Sequence, residues 1–132
     1  MITGKVKAEV DQNGYIYLKS RISISIAGVD RAFLNRDATV DTGFTGGLAL
    51  PGDTIERLRL TFYGRRPANQ ASGVGMFDIY GALVSWHGEH RPVLVYKTNG
   101  EPLVGMTLLE GSRLTVDARK DGDVIIEEMS RR

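Results

Sequence analysis

Ala38-Thr39-Val40-Asp41-Thr42-Gly43-Phe44-Thr45-Gly46-Gly47-Leu48-Ala49-Leu50-Pro51 is the stretch on which the reading of this chain turns. A short, apolar, partly β-branched run (Ala38-Thr39-Val40) ends at an acid. A glycine-rich loop then leads into a second short apolar run, Leu48-Ala49-Leu50, which Pro51-Gly52 stops. Burying an ionised carboxylate without partners is costly. An acid at the end of a buried strand, among residues that let backbone come close, is therefore hard to explain as a solubility feature. The triplet Asp41-Thr42-Gly43 decides nothing alone. Chance supplies it in roughly a few chains per hundred of this length, and a turn acid capping a loop reads the same way.

Working outward, period two dominates. Arg21-Ile22-Ser23-Ile24-Ser25-Ile26 alternates polar and apolar without a break, which predicts a half-buried strand with its isoleucines facing in. Val6, Ala8 and Val10 alternate too, and Asp11-Gln12-Asn13-Gly14 supplies a turn before strand-like Tyr15 to Leu18. After Pro51-Gly52 a helix of about two turns is expected. Asp53 is its cap, Glu56 completes a capping box, and Ile55 and Leu58 form its apolar face. Residues 64–75 read as a polar loop with a Gly-rich tip, Ala71-Ser72-Gly73-Val74-Gly75. A long strand is expected from Met76 to Trp86, a turn at His87-Gly88-Glu89-His90, and a return from Pro92 to Tyr96. Asn99-Gly100 makes a further turn, Met106 to Leu109 one helical turn, and Asp121-Gly122 a hairpin between two last apolar runs. The expectation is a mostly-β single domain over residues 1–132, without repeat, linker or low-complexity segment.

Composition narrows the function. The chain has 132 residues, enough for one core. Apolar residues make up 42% and charged residues 25%, the balance of a globular protein. With no cysteine, neither disulfides nor thiolate metal sites hold the fold. A net charge of +1 argues against nucleic acid, which demands a concentrated basic surface. No apolar run approaches the roughly 20 residues that span a bilayer, and Met1 to Lys5 lacks the order of a signal peptide. The expected localisation is cytoplasmic, with no membrane partner.

A second signature, Leu103-Val104-Gly105-Met106-Thr107-Leu108-Leu109, places two apolar residues and a glycine before a short helix, about sixty residues after Asp41. With the first segment it resembles the retropepsins, the retroviral-type (clan AA) aspartic proteases, and most of all their small bacterial relatives. The resemblance covers roughly residues 15 to 117. It implies a closed retropepsin-like β-barrel with one or two short helices and a flap hairpin, active as a symmetric homodimer. It implies that Asp41 is the catalytic carboxylate of an aspartic endopeptidase. Thr42 would bond across to the partner chain's loop, Gly43 would let substrate backbone approach, and Leu103, Val104 and Gly105 would brace the loop from beneath. Phe44, Thr45 and Gly46 would lie along the peptide, and Gly73, Val74 and Gly75 would form the flap tip over it. Three departures from the viral pattern stand out. Phe44 replaces a small residue, Thr45 and Gly46 stand where acids hold substrate backbone, and the flap tip has fewer glycines.

The chemistry needs two carboxylates sharing one proton, and the chain carries one Asp-Thr-Gly. The second aspartate must come from a symmetry mate, with the terminal strands implied by the resemblance as interface. No metal or cofactor is required. The competing function, suggested by Phe44 and the missing acids, is a catalytically weak or inactive dimerisation or peptide-binding module of the same fold. A third reading is an unrelated β-barrel with a chance triplet. His87 and His90 share one turn with no third ligand nearby in sequence, so a metal site is not expected. Serine or cysteine nucleophile chemistry lacks both a Cys and a Gly-x-Ser-x-Gly elbow.

Overall fold

Alternating strands dictate the architecture, which we describe from a computed structural model covering residues 1–70 and 73–130. In chain order these are β1 (Ile2–Val10), β2 (Ile16–Ala27), β3 (Leu34–Val40), β4 (Leu48–Pro51), α1 (Gly52–Leu58), β5 (Thr61–Gln70), β6 (Gly73–Trp86), β7 (Glu89–Thr98), β8 (Leu103–Val104), α2 (Met106–Leu109), β9 (Ser112–Val116) and β10 (Asp123–Glu128). The strands form one sheet in the order β5-β6-β7-β4-β8-β3-β2-β1-β10-β9. A further pairing of β2 with β6, at Ile26↔Val84 and Ala27↔Leu83, curls the sheet back on itself at one corner. Only these two residue pairs close it, and β5 and β9 remain at the ends of the strand order, so the sheet is partly closed rather than the closed barrel expected.

Period two places the core. Ile22, Ile24 and Ile26 are buried while Ser23 is exposed, and their side chains pack with Leu48, Leu50, Val84, Trp86, Val104 and Leu108. Burial of that apolar surface is the main favourable term in folding. Three expectations need correction. In β1 the alternation Val6, Ala8, Val10 continues, but only Val6 is buried. β10 reaches β1 only across Ile2 to Lys5, and β3 reaches β2 only from Arg21 onward. The far end of the β1–β2 hairpin therefore runs past the core and leaves Val10, Tyr15 and Ile16 exposed.

The second correction concerns α1. Asp53 is not its cap: Pro51 holds that position without a side-chain cap bond, and Asp53 Oδ1 accepts from the Thr54 N–H at 2.8 Å inside the first turn. Ile55 and Leu58 do form the buried face. Arg59, left-handed at φ 52, ends the helix by donating its N–H to Glu56 O, and Leu60 donates to Ile55 O.

The third concerns residues 64–75. Apart from Ala71 and Ser72, which lie outside the described residues, they are strand, paired from Gly64↔Ile79 to Gln70↔Gly73. Their polarity reflects exposure. Cross-strand bonds satisfy the backbone whether or not the side chains are buried.

Candidate active site

β3 delivers Asp41, and β8 fixes where it stops. β8 runs parallel to β3 (Thr39↔Leu103, Val40↔Val104) and antiparallel to β4 (Leu48↔Val104, Ala49↔Leu103). Two residues thus tie together the strand entering the Asp41 loop and the strand leaving it. The Asp41 N–H donates to Val104 O at 2.8 Å, extending the β3–β8 pairing to the acid itself.

Gly105 and α2 then take over the loop's carbonyls. The N–H groups of Gly105, Met106 and Thr107 donate to Gly47 O (3.0 Å), Phe44 O (2.9 Å) and Gly46 O (3.1 Å). The Thr107 hydroxyl donates to Thr45 O at 2.6 Å. Gly105 is required by space. A Cβ there would lie 2.2 Å from Gly46 O and 2.7 Å from Phe44 O, and both are backbone atoms with no rotamer to yield.

Within the loop, Asp41 Oδ1 accepts from the Gly43 N–H at 2.9 Å, and Asp41 O accepts from the Phe44 N–H at 3.1 Å. The carboxylate is oriented by its own turn. It is half-buried, and Thr42 and Gly43 beside it are exposed. None of the ion pairs among the described residues includes Asp41.

Phe44, the conspicuous departure in the motif, turns its ring back onto the protein. It meets Tyr96 edge-on at 5.4 Å between centroids, and Phe77 also meets Tyr96, at 6.0 Å. Gly46 leaves room for this contact: a Cβ there would come within 2.6 Å of Phe44 and 2.8 Å of Tyr96. The ring fills the space between loop and β7. Gly73, Val74 and Gly75 open β6, opposite Gln70, Asn69 and Ala68, with Val74 exposed. No hydrogen bond among the described residues joins them to the Asp41 loop.

Sequence reasoning missed Glu101. Its carboxylate binds Lys19 Nζ (3.0 Å), Arg21 Nη1 (2.9 Å) and Thr39 Oγ1 (2.9 Å), and Lys19 also pairs with Glu9 at 2.8 Å. This links β1, β2 and β3 to the segment entering β8, two residues upstream of Asp41. Burial pushes the Glu101 carboxyl up, but the hydrogen bonds and charges of Lys19, Thr39 and Arg21 outweigh it and hold it below the usual 4.5. The available signal was an acid two residues before Leu103, but its basic partners lie some eighty residues away in sequence.

Each histidine has a neighbour in the fold. His87 Nε2 lies 2.8 Å from Ser112 Oγ, and His90 packs on Phe33 at 4.6 Å. Among the described residues no group of three or more His, Cys, Asp or Glu is placed to hold a metal. No helix among them is long and apolar enough to cross a membrane.

Comparison with known proteins agrees with this geometry at the level of the fold. No family sequence model matches the chain, and neither does any curated protein. Among solved structures, the crystal structure of a retropepsin-like aspartic protease from Rickettsia conorii aligns with 98% of this chain and 94% of its own, at a TM-score of 0.52 and 18% identity. With an acid held at the end of β3, braced by β8 and α2, and with a long β5–β6 hairpin, the chain has the retropepsin-like fold.

Proposed function

We propose that the chain is one subunit of a homodimeric aspartic endopeptidase, with Asp41 and its symmetry mate as the catalytic pair. The observation that carries this reading is the state of Asp41. It is held rigidly through Val104 and Gly43, partly exposed, without a basic partner among the described residues, and flanked by exposed Thr42 and Gly43. A turn acid alone needs no second strand beneath it; here β8 pairs with the backbone of the acid itself and leaves the carboxylate partly exposed.

Two such carboxylates brought together by a two-fold axis cannot both ionise, so one keeps a proton. The ionised member takes a proton from a water as its oxygen attacks the scissile carbonyl carbon. The protonated member gives its proton to the carbonyl oxygen. Collapse of the tetrahedral intermediate breaks the C–N bond: the leaving nitrogen picks up the proton held by the first carboxylate, and the second carboxylate takes one back from a hydroxyl of the intermediate, which restores the starting pair. No metal or covalent intermediate enters. Thr42 bonds to the partner's loop, Gly43 admits substrate backbone, Thr45 and Gly46 lie along the peptide, and the β5–β6 hairpin around Gly73, Val74 and Gly75 covers it. The packing of Phe44 against Tyr96 supports a cleft that this bulky residue does not fill.

The test is a diverse peptide library incubated with the parent and with Asp41→Asn, read by mass spectrometry. Cleavage by the parent, reduced at least about a hundredfold in the variant, is the expected result for loss of a general acid–base group. Cleavage equal in both overturns the assignment of Asp41. Peptide capture without turnover by either favours the binding-module reading.

A further inference from the structure

A groove begins at the Asp41 loop and is walled by two arginines. It holds about 380 Å³ and is bounded by Gly46 and Gly47 of the loop, Arg66 on β5, Arg91 and Tyr96 on β7, and Thr107 on α2. No Asp or Glu lines it. Neither arginine enters an ion pair among the described residues. The neighbouring Arg65 does, with Asp78 at 3.3 Å, and neither of these two residues lines the groove. Arg91 gives one N–H to Leu108 O at 3.3 Å, which anchors it beside α2 where it lines the groove.

We propose that this groove selects an acidic side chain on the peptide substrate, with Arg66 and Arg91 as specificity-determining residues. The inference rests on the endopeptidase reading and names the substrate class of that site. A guanidinium presents a planar fork of donors matched to a carboxylate, and two of them without an internal acid leave a net positive pocket to be neutralised. Pro92, Val93 and Leu94 of β7 line the groove beside Tyr96 and supply an apolar surface for the stem of a glutamate. Reach fixes the position. Gly46 lies five residues beyond Asp41, and five extended residues span at most about 17 Å. A peptide whose scissile bond sits at Asp41 thus reaches the groove within about five residues.

The test uses Asp41→Asn protein as a trap. Matched peptide libraries carry Glu or its isostere Gln at each position, and captured peptides are read by mass spectrometry alongside parent cleavage rates. Enrichment of Glu over Gln by about five- to tenfold at one position is expected, the range for a charge-assisted contact that remains partly solvated. It should fall in Arg66→Gln and vanish in the Arg66→Gln/Arg91→Gln double variant. Arg66 is exposed on β5, so its single variant tests the idea even where the double variant folds poorly. Equal capture of Glu and Gln peptides, capture of neither, or a preference that survives loss of Arg66 overturns the proposal. Glu-selective capture without parent cleavage overturns proteolysis and leaves the groove standing; cleavage without acid preference does the reverse.

Discussion

Gly105 and Gly100 are both glycines near β8, yet their surroundings differ. At Gly105 a Cβ would collide with the Gly46 and Phe44 carbonyls, whereas at Gly100 its nearest neighbour is Thr98 Oγ1 at an ordinary 3.7 Å. We expect Gly105→Ala to destabilise by at least about 2 kcal/mol, because an overpacked backbone contact has no side chain to move. Gly100→Ala should fall within about 0.5 kcal/mol of the parent. Urea unfolding of both variants checks the contrast. His87 is a second case. With Gly88 it forms the β6–β7 turn, both at positive φ, 52 and 79, a conformation that Asn-Gly adopts readily. Burial depresses the His87 imidazole below its ordinary 6.5. The unfolded chain therefore takes up the proton first as pH falls, and stability declines from about pH 6.5 downward. His87→Asn should remove that slope. Denaturation midpoints at pH 7 and 5.5 that shift equally in parent and variant would sink the idea.

Among the elements, β8 has the largest consequences for its length. Two residues join β3 to β4, and the Glu101 cluster secures the approach to them from β2. Glu101 sits below its usual range, so its contribution to stability is full above about pH 4.5 and is lost as pH falls through its folded value. Glu101→Gln should cost on the order of 1 kcal/mol at pH 7, the scale of a partly exposed charged hydrogen-bond cluster. The gap to the parent should close as pH drops below about 4.5. A gap unchanged with pH would mean that the charge on Glu101 does not contribute. α1 shows the limit of local rules. Asp53 and Glu56 spell a capping box, but β4 continues through Pro51, and the chain enters the helix two residues earlier than the motif requires.

At the scale of the molecule, one chain brings one acid to its candidate site. Under the dimer reading, specific activity should rise with protein concentration and saturate, since each active unit needs two copies. Asp41→Asn mixed with the parent should suppress activity beyond simple dilution, because mixed dimers hold only one carboxylate. Sedimentation and activity measured over the same concentrations check both, and activity per chain independent of dilution down to the monomer would overturn the dimer requirement.

The strands with unbroken alternation, the Asp41 loop, the Leu103-Val104-Gly105 signature and the single turn of α2 were legible in sequence. Each is set by local periodicity, turn chemistry or a short motif, all of which act within a few residues. Tertiary structure alone decided the rest. The outer end of the β1–β2 hairpin is exposed because no other strand reaches it, although its residues alternate as the buried ones do. Residues 64–70 became strand because β6 pairs with them, against their polar composition. Phe44 turned inward because Gly46 and Tyr96 leave it a place. Glu101 found Lys19, Arg21 and Thr39, and Arg66 came to face the same groove as Arg91. These pairings join residues distant in the chain, and only the sheet's strand order brings them within reach.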